Sequence, residues 1–245
     1  MTRTVNCDQT RVRSWLAKVR ARRADAPRSD LDQCPATLTT VVRRLKLLDR
    51  DSRDILLLGD DELLGLALAA TRARSRIVVM DADEKLLGFI RLHAPRAMIE
   101  LVKQDLRNGL PHAFRHCFDE VFTDPPYTLA GQLLFAQRGM LALRAIAGVS
   151  LYVCASPAYL IKDHFHVVRL FLARGGFELE VSYQNFNRYK APPDVRYDLK
   201  RKRARSTAWL DSDLYRYVRQ RPAPVPRLPP GTLARIYSYD EPTSA

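Results

Sequence analysis

The sequence predicts an α/β protein with a seven-stranded, mainly parallel Rossmann-type sheet and helices on both faces. It places a short basic extension in front (residues 1–33), a catalytic-sized domain over 34–220 and a Pro-rich tail over 221–245. Three observations carry that expectation. From residue 54 onward short apolar runs alternate with longer ones, the pattern of right-handed βαβ units. The first four short runs each end in an acidic tip. Residues 54–187 hold 14 Lys/Arg against 15 Asp/Glu, so the net charge of +13 lies in the flanks, with 26 basic to 12 acidic residues.

Taken in order, the N-terminal segment is polar and Arg-rich (Arg11, Arg13, Arg20, Arg22, Arg23), with an amphipathic helix readable around "RSWLAKVRARR". "ATLTTVVRRLKLLD" follows as a helix with Val41, Val42, Leu45 and Leu48 on one face. "DILLLGDD" is a strand ending in turn residues, and "ELLGLALAATRA" is long and apolar enough to be a buried helix. "RIVVMDAD" and "EKLLGFIRLH" repeat the pair. "AMIELVKQDLR" and "FDEVFTDPPY" are the third and fourth strands with their loops. "GQLLFAQRGMLALRAI" is a helix, "GVSLYVCASP" a strand, and "DHFHVVRLFLARGG" a helix stopped by glycines. "FELEVSYQNFNRY" alternates as a strand, and "DSDLYRYV" supplies the last one.

Composition excludes several classes. An apolar content of 47% in 245 residues supports a substantial core. No run approaches the roughly 20 apolar residues of a membrane span. The N-terminus lacks the apolar stretch of a secretory signal, and Asp8 and Asp25 argue against a transit peptide, which points to the cytoplasm. Cys7, Cys34, Cys117 and Cys154 form no Cys-x-x-Cys pair, so reduced, mostly buried thiols are expected. His112, His116 and Cys117, or His164 and His166, lack a second cluster at ligand spacing, so no metal is expected.

In parallel sheets of this kind ligands bind outside the strand tips, where the strand order reverses. The tips here are Asp60 and Asp61, Asp81, Asp105 and Asp124. Turn aspartates that cap helices account well for one or two of these, but poorly for four. Asp81 lies 22 residues beyond Gly59, the spacing of an acid that accepts ribose hydroxyls, and Asp105 is placed for an adenine amino group. An adenosine-bearing co-substrate follows. No G-x-G-x-x-G opens the first helix, so the layout resembles the methyltransferase-like fold more than a dinucleotide-binding one. Methyltransferases of that fold usually present backbone N–H groups to the methionine carboxylate. Here "LLLGDDELLG" presents Asp60, Asp61 and Glu62 after a single glycine. Each close pair of like charges in a partly desolvated cleft costs on the order of a few kcal/mol. A co-substrate ending in an ammonium instead is attracted. Decarboxylated S-adenosylmethionine is such a molecule, and polyamines are cationic too.

"LLGDDELLGLALA", "VVMDADEKLLGFI", "KQDLR", "FDEVFTDPPYTLAG" and the upstream "DLDQCPATLTTVVRR" together resemble the branched-chain polyamine synthases, the bis(aminopropyl)spermidine synthases of thermophiles and their bacterial relatives. The resemblance covers about residues 31–217, in the family's order. The family's paired motifs are Gly-Asp-Asp-Asp and Asp-Pro-Pro-Tyr. This chain keeps the second and has Glu62 at the last position of the first, one methylene longer. It has only some 30 residues where archaeal members carry a winged-helix-like domain. The resemblance implies aminopropyl transfer from decarboxylated S-adenosylmethionine to a polyamine such as spermidine, releasing methylthioadenosine, and it leaves room for a homodimer. Asp124 would face the nucleophilic nitrogen. Asp60, Asp61 and Glu62 would hold cationic chains, and Pro125 and Pro126 would stiffen the turn that presents Asp124. Tyr127 would stack on adenosine or meet an ammonium through its ring face. Gly59, Asp81, Ala82, Asp105 and Leu106 would line the adenosyl side.

Asp-Pro-Pro-Tyr also resembles the motif of amino-group methyltransferases acting on adenine in DNA or RNA. The basic flanks, notably "KRKRARS" at 200–206, would suit a phosphate backbone. The acidic first loop and neutral central block argue against that substrate. "RPAPVPRLPP" (221–230) reads as an extended linker or a tail hugging the surface.

Overall fold

The computed structural model describes residues 3–25, 36–48, 53–71, 76–94, 99–156, 162–190, 208–234 and 236. The basic run at 200–206 lies outside them. Strands β1 (Ile55–Leu58), β2 (Ile77–Asp81), β3 (Ile99–Lys103), β4 (Glu120–Thr123) and β5 (Ser150–Ala155) run parallel. β6 (Phe177–Lys190) and β7 (Trp209–Arg219) are antiparallel to each other, and β7 pairs with β5. The sheet order is β3-β2-β1-β4-β5-β7-β6. It reverses between β1 and β4, whose registered tips are Leu58 and Thr123.

Successive strand residues point to opposite faces, and the two cores follow that period of two. Leu56, Leu58, Val78, Met80, Val121, Leu151 and Val153 belong to one cluster; Ile55, Leu57, Ile77, Val79, Phe122, Tyr152 and Cys154 belong to the other. Every β1 side chain is fully buried, and each such burial is worth about 1.5–3 kcal/mol. Helices α5 (Leu129–Ala142) and α6 (Lys162–Arg174) cover the first cluster. Helices α1 (Arg3–Asp25), α2 (Leu38–Leu48), α3 (Leu64–Thr71) and α4 (Glu84–His93) cover the second.

Several elements depart from their sequence-read limits for local reasons. α1 extends beyond the readable segment, and it docks through Val12, Leu16, Val19 and Arg23, a stripe at helical spacing. On α2, Val41, Leu45 and Leu48 are buried, while Val42 is only half-buried. α5 starts two residues earlier than read because Thr128 caps it, its hydroxyl accepting from Gly131 N–H at 2.9 Å. It stops at Ala142, where Leu143 turns extended and bridges to Phe118. α6 ends at Gly175 and Gly176, the latter at φ +82°, as the glycine pair indicates.

The Pro-rich segment lies back along α5. Gln137 Nε2 donates to the Pro226 carbonyl at 2.9 Å, and the Thr128 hydroxyl donates to the Ile236 carbonyl at 2.6 Å. Thr128 follows Asp-Pro-Pro-Tyr directly, so this segment buttresses the turn after β4. Gly131 makes the close approach feasible, since a Cβ there would stand 2.7 Å from Pro126 O and 3.0 Å from Ile236 O, both backbone atoms. Gly131→Ala is expected to destabilise the fold. Its overpacking cost of about 1–3 kcal/mol exceeds the helix-propensity gain of about 1 kcal/mol. Urea unfolding measures the difference, and a variant as stable as the parent would show that the turn yields freely.

Candidate active site

The reversal of strand order opens the crevice at the tips of β1 and β4. Gly59, at φ +78°, adopts a left-handed conformation that glycine reaches without strain. The chain then turns so that Asp60 N–H points to Asp81 Oδ2 at 3.3 Å. The Asp60 carboxylate accepts from Leu64 N–H at 2.7 Å and Gly65 N–H at 2.9 Å, so it closes the N-terminus of α3. Burial nonetheless pushes its pKa well up, with the two N–H bonds opposing and Glu62 and Asp81 adding like-charge repulsion. Asp61 is half-buried beside it. Leu63 carries φ +62°, a strained value for a branched residue, and locks the loop through its N–H to the Asp60 carbonyl at 2.9 Å.

Glu62 faces the N-terminal segment. Its two oxygens accept from Ala36 N–H at 3.0 and 2.8 Å, and Arg20 pairs with it at 3.6 Å. Arg20 also donates to the Glu62 carbonyl at 2.7 Å and to the Ala36 carbonyl. Burial raises the Glu62 pKa, and Arg44 and Arg20 pull it down.

Asp124, at the tip of β4, is the hub of the site. Oδ2 accepts from Arg44 Nη2 at 2.7 Å and from Tyr189 Oη at 2.5 Å, and Oδ1 accepts from Tyr127 Oη at 3.0 Å. Arg44 comes from α2 and is fully buried, whereas the Asp124 side chain keeps 18% exposure. Arg44 Nε donates to Asn187 Oδ1 at 2.9 Å and Nη2 to Tyr189 Oη at 2.7 Å, and the guanidinium lies 5.0 Å from the Phe122 ring centroid. Asn187 Nδ2 in turn donates to Ser212 Oγ at 3.0 Å and Cys154 Sγ at 3.3 Å. Burial disfavours the Arg44 charge, but the neighbouring Asp124 and Glu62 carboxylates oppose it and the guanidinium stays protonated. Burial also holds Tyr127, Tyr189 and Cys154 neutral far above their ordinary ionisation range, with the Asp124 charge reinforcing it. Pro125 and Pro126 are buried behind the acid and deny the turn two backbone donors.

On the adenosyl side, Asp81 is half-buried, its Oδ1 accepting from Asp83 N–H at 2.8 Å, and burial raises its pKa. Ala82 is half-buried beside it. The Asp105 carboxylate is shared with Arg107, which approaches to 2.7 Å. Leu106 is buried at 6% exposure in the core beneath. Among the described residues no three His, Cys, Asp or Glu side chains gather as a metal site, and no helix is long and apolar enough to cross a membrane.

The family model for the branched-chain polyamine synthase A C-terminal domain matches residues 11–219. The chain belongs to the branched-chain polyamine synthase family. A Thermus thermophilus N(4)-bis(aminopropyl)spermidine synthase is 38% identical over 120 residues, 46% of this chain and 35% of that one. The crystal structure of the branched-chain polyamine synthase from Thermus thermophilus, in complex with N4-aminopropylspermidine and 5'-methylthioadenosine, superposes with a TM-score of 0.71 at 28% identity, over 91% of this chain and 70% of that one. A putative RNA methyltransferase from Pyrococcus horikoshii shares the fold alone, with a TM-score of 0.54 at 11% identity over 74% of this chain and 82% of that one. The chain spans 35% to 48% of the length of the curated relatives it matches.

In this family member, the site residues not singled out from sequence are Arg44, Asn187, Tyr189 and Ser212. Arg44 had a readable signal, because it sits among Val41, Leu45 and Leu48 on the buried helix face.

Asp60 generates a pH prediction. Its folded-state value is raised, so its contribution to stability is full below about pH 4 and is lost as the pH rises through the raised value. Asp60→Asn keeps an acceptor for the α3 terminus without the charge. Between about pH 5 and about pH 8 the wild type should lose more unfolding free energy than the variant. Urea titrations at both pH values test this, and parallel losses would mean that the Asp60 charge is compensated.

Proposed function

We propose that the protein transfers the aminopropyl group of decarboxylated S-adenosylmethionine to an amine nitrogen of a polyamine such as spermidine, giving a branched polyamine and methylthioadenosine. The observation that carries this is the state of Asp124. A carboxylate offers about four acceptor positions, and Arg44, Tyr189 and Tyr127 take three, leaving one on Oδ1. That position, on a partly exposed acid at the topological switch point, suits the N–H of a bound amine. The ligands of the Thermus thermophilus enzyme, N4-aminopropylspermidine and methylthioadenosine, support the same substrate classes here.

The amine lone pair attacks the propyl carbon beside sulfonium, the C–S bond breaks, and its electron pair stays on sulfur. Sulfur leaves neutral, so no general acid is needed. The new N–C bond puts positive charge on nitrogen, and Asp124 Oδ1 accepts the N–H as that charge develops. Asp60, Asp61, Glu62 and Asp81 make the neighbouring wall acidic, which favours polycations and disfavours the carboxylate of intact S-adenosylmethionine. Asp81 supplies acceptors for ribose hydroxyls. Asp105, steadied by Arg107, would meet the adenine edge beside Ala82 and Leu106.

Mass spectrometry tests the proposal. Spermidine and an adenine-containing oligonucleotide are each incubated with the protein and either decarboxylated or intact S-adenosylmethionine. Aminopropyl additions to spermidine with release of methylthioadenosine are expected; a methyl group added to the oligonucleotide would overturn the proposal. Asp124→Asn should lower turnover about 10²-fold or more while leaving methylthioadenosine binding intact by calorimetry. An unchanged rate would remove Asp124 from the chemistry.

A further inference from the structure

The proposed transfer contains a conflict. The attacking amine must be neutral, yet a carboxylate beside it stabilises the ammonium. A site built only of acids would bind polyamine well and hold it in the unreactive form. The structure shows a cation placed against this tendency. Arg44 is fully buried and is aimed at Asp124 by Asn187 on its Nε side and by Tyr189. Its partners are too completely engaged for the guanidinium to leave: Asn187 and Ser212 are themselves buried and hydrogen-bonded to each other.

We propose that Arg44 is a positioning residue that acts through Asp124, a fixed counter-cation that weakens the carboxylate's hold on a proton of the bound amine and so keeps the nucleophile reactive near neutral pH. This rests on the proposed transfer reaction. The groups facing Asp124 are Arg44 from α2, Tyr127 from its own turn, Tyr189 from β6, Cys154 from β5 and Glu62 from the first loop. Tyr127, Tyr189 and Cys154 stay neutral at working pH, so of the charged groups facing Asp124 it is Arg44 that opposes protonation of the amine, while Glu62 and the acids of the neighbouring wall favour it. Two donors on Oδ2 also fix the carboxylate plane, so that Oδ1 is the oxygen left to the substrate.

The sign of the test follows. Without Arg44 the bound amine holds its proton more tightly, and more alkaline solution is needed to free it. Single-turnover rates with spermidine and decarboxylated S-adenosylmethionine are measured against pH for the wild type, Arg44→Gln, Arg44→Lys and Tyr189→Phe. For Arg44→Gln the ascending limb should move up by about one pH unit, a tenfold loss at neutral pH that alkaline pH largely restores, with KM for the amine unchanged or lower. Arg44→Lys keeps the charge and loses the fork, so its limb should stay in place while its rate falls at every pH. Tyr189→Phe removes a neutral donor and should do the same.

An Arg44→Gln rate lowered equally at all pH values, with the limb unmoved, would show Arg44 to be a structural strut and overturn the proposal. If Arg44→Gln does not fold, the lysine variant decides, since a limb displaced upward in a variant that keeps the charge is equally fatal. A wild type that transfers nothing at any pH refutes the reaction itself, and the proposal with it; an active wild type with an unmoved limb refutes only the role of Arg44.

Discussion

The pairing of Arg44 with Asp124 is the contact on which the rest of the site depends. An arginine with no exposed surface costs several kcal/mol unless its charge and donors are met. The structure meets them with residues from distant parts of the chain: Asp124 after β4, Asn187 and Tyr189 near the end of β6, and the Phe122 ring beneath. α2 must therefore dock in one register, and Val41, Leu45 and Leu48 fix that register by burying their stripe against the sheet. The same ion pair that closes the core sets the orientation of the acid at the crevice.

A second set of bonds ties the first loop to the same unit. Ala36 bridges to Tyr189, Thr37 N–H donates to the Arg188 carbonyl at 2.8 Å, and Arg188 N–H donates to Thr40 Oγ1 at 3.0 Å. Glu62 grips Ala36 N–H with both oxygens. The loop after β1, the start of α2 and the end of β6 are thus joined by hydrogen bonds. The family motif has aspartate where this chain has Glu62, and the longer side chain reaches the N-terminal segment. Its charge is spent on Ala36 and Arg20, which leaves Asp60, Asp61 and Asp81 as the other acids of that wall.

Much of the sheet was legible because its rules are local. Period-two burial, the glycine stop after α6 and the acidic strand tips all follow from short windows of sequence, and the tips of β1 and β4 do meet at the reversal of strand order. What was not legible arises from contacts between distant segments. Arg44 reads as a surface residue until the stripe around it is seen to be buried. Asn187 and Tyr189 are obscured by the irregularities of β6, between Leu179 and Val181 and between Tyr183 and Asn187, which break the alternation a reader would count along. Asp60 is the converse case: its acidic character was plain, but that its carboxylate also closes α3 depends on the left-handed turn at Gly59.

The acids of the crevice differ in what surrounds them, and that difference suits the proposed reaction. A polyamine carries several ammonium groups, only one of which must lose its proton. Asp60, Asp61 and Asp81 lie along the wall formed by the tips of β1 and β2, where their carboxylates favour nitrogens that remain protonated. Asp124 is in direct contact with a fully buried guanidinium, so the nitrogen it meets feels a weaker negative field. Affinity and reactivity make opposite demands on the charge of one substrate, and placing a buried guanidinium against one acid of the crevice satisfies both.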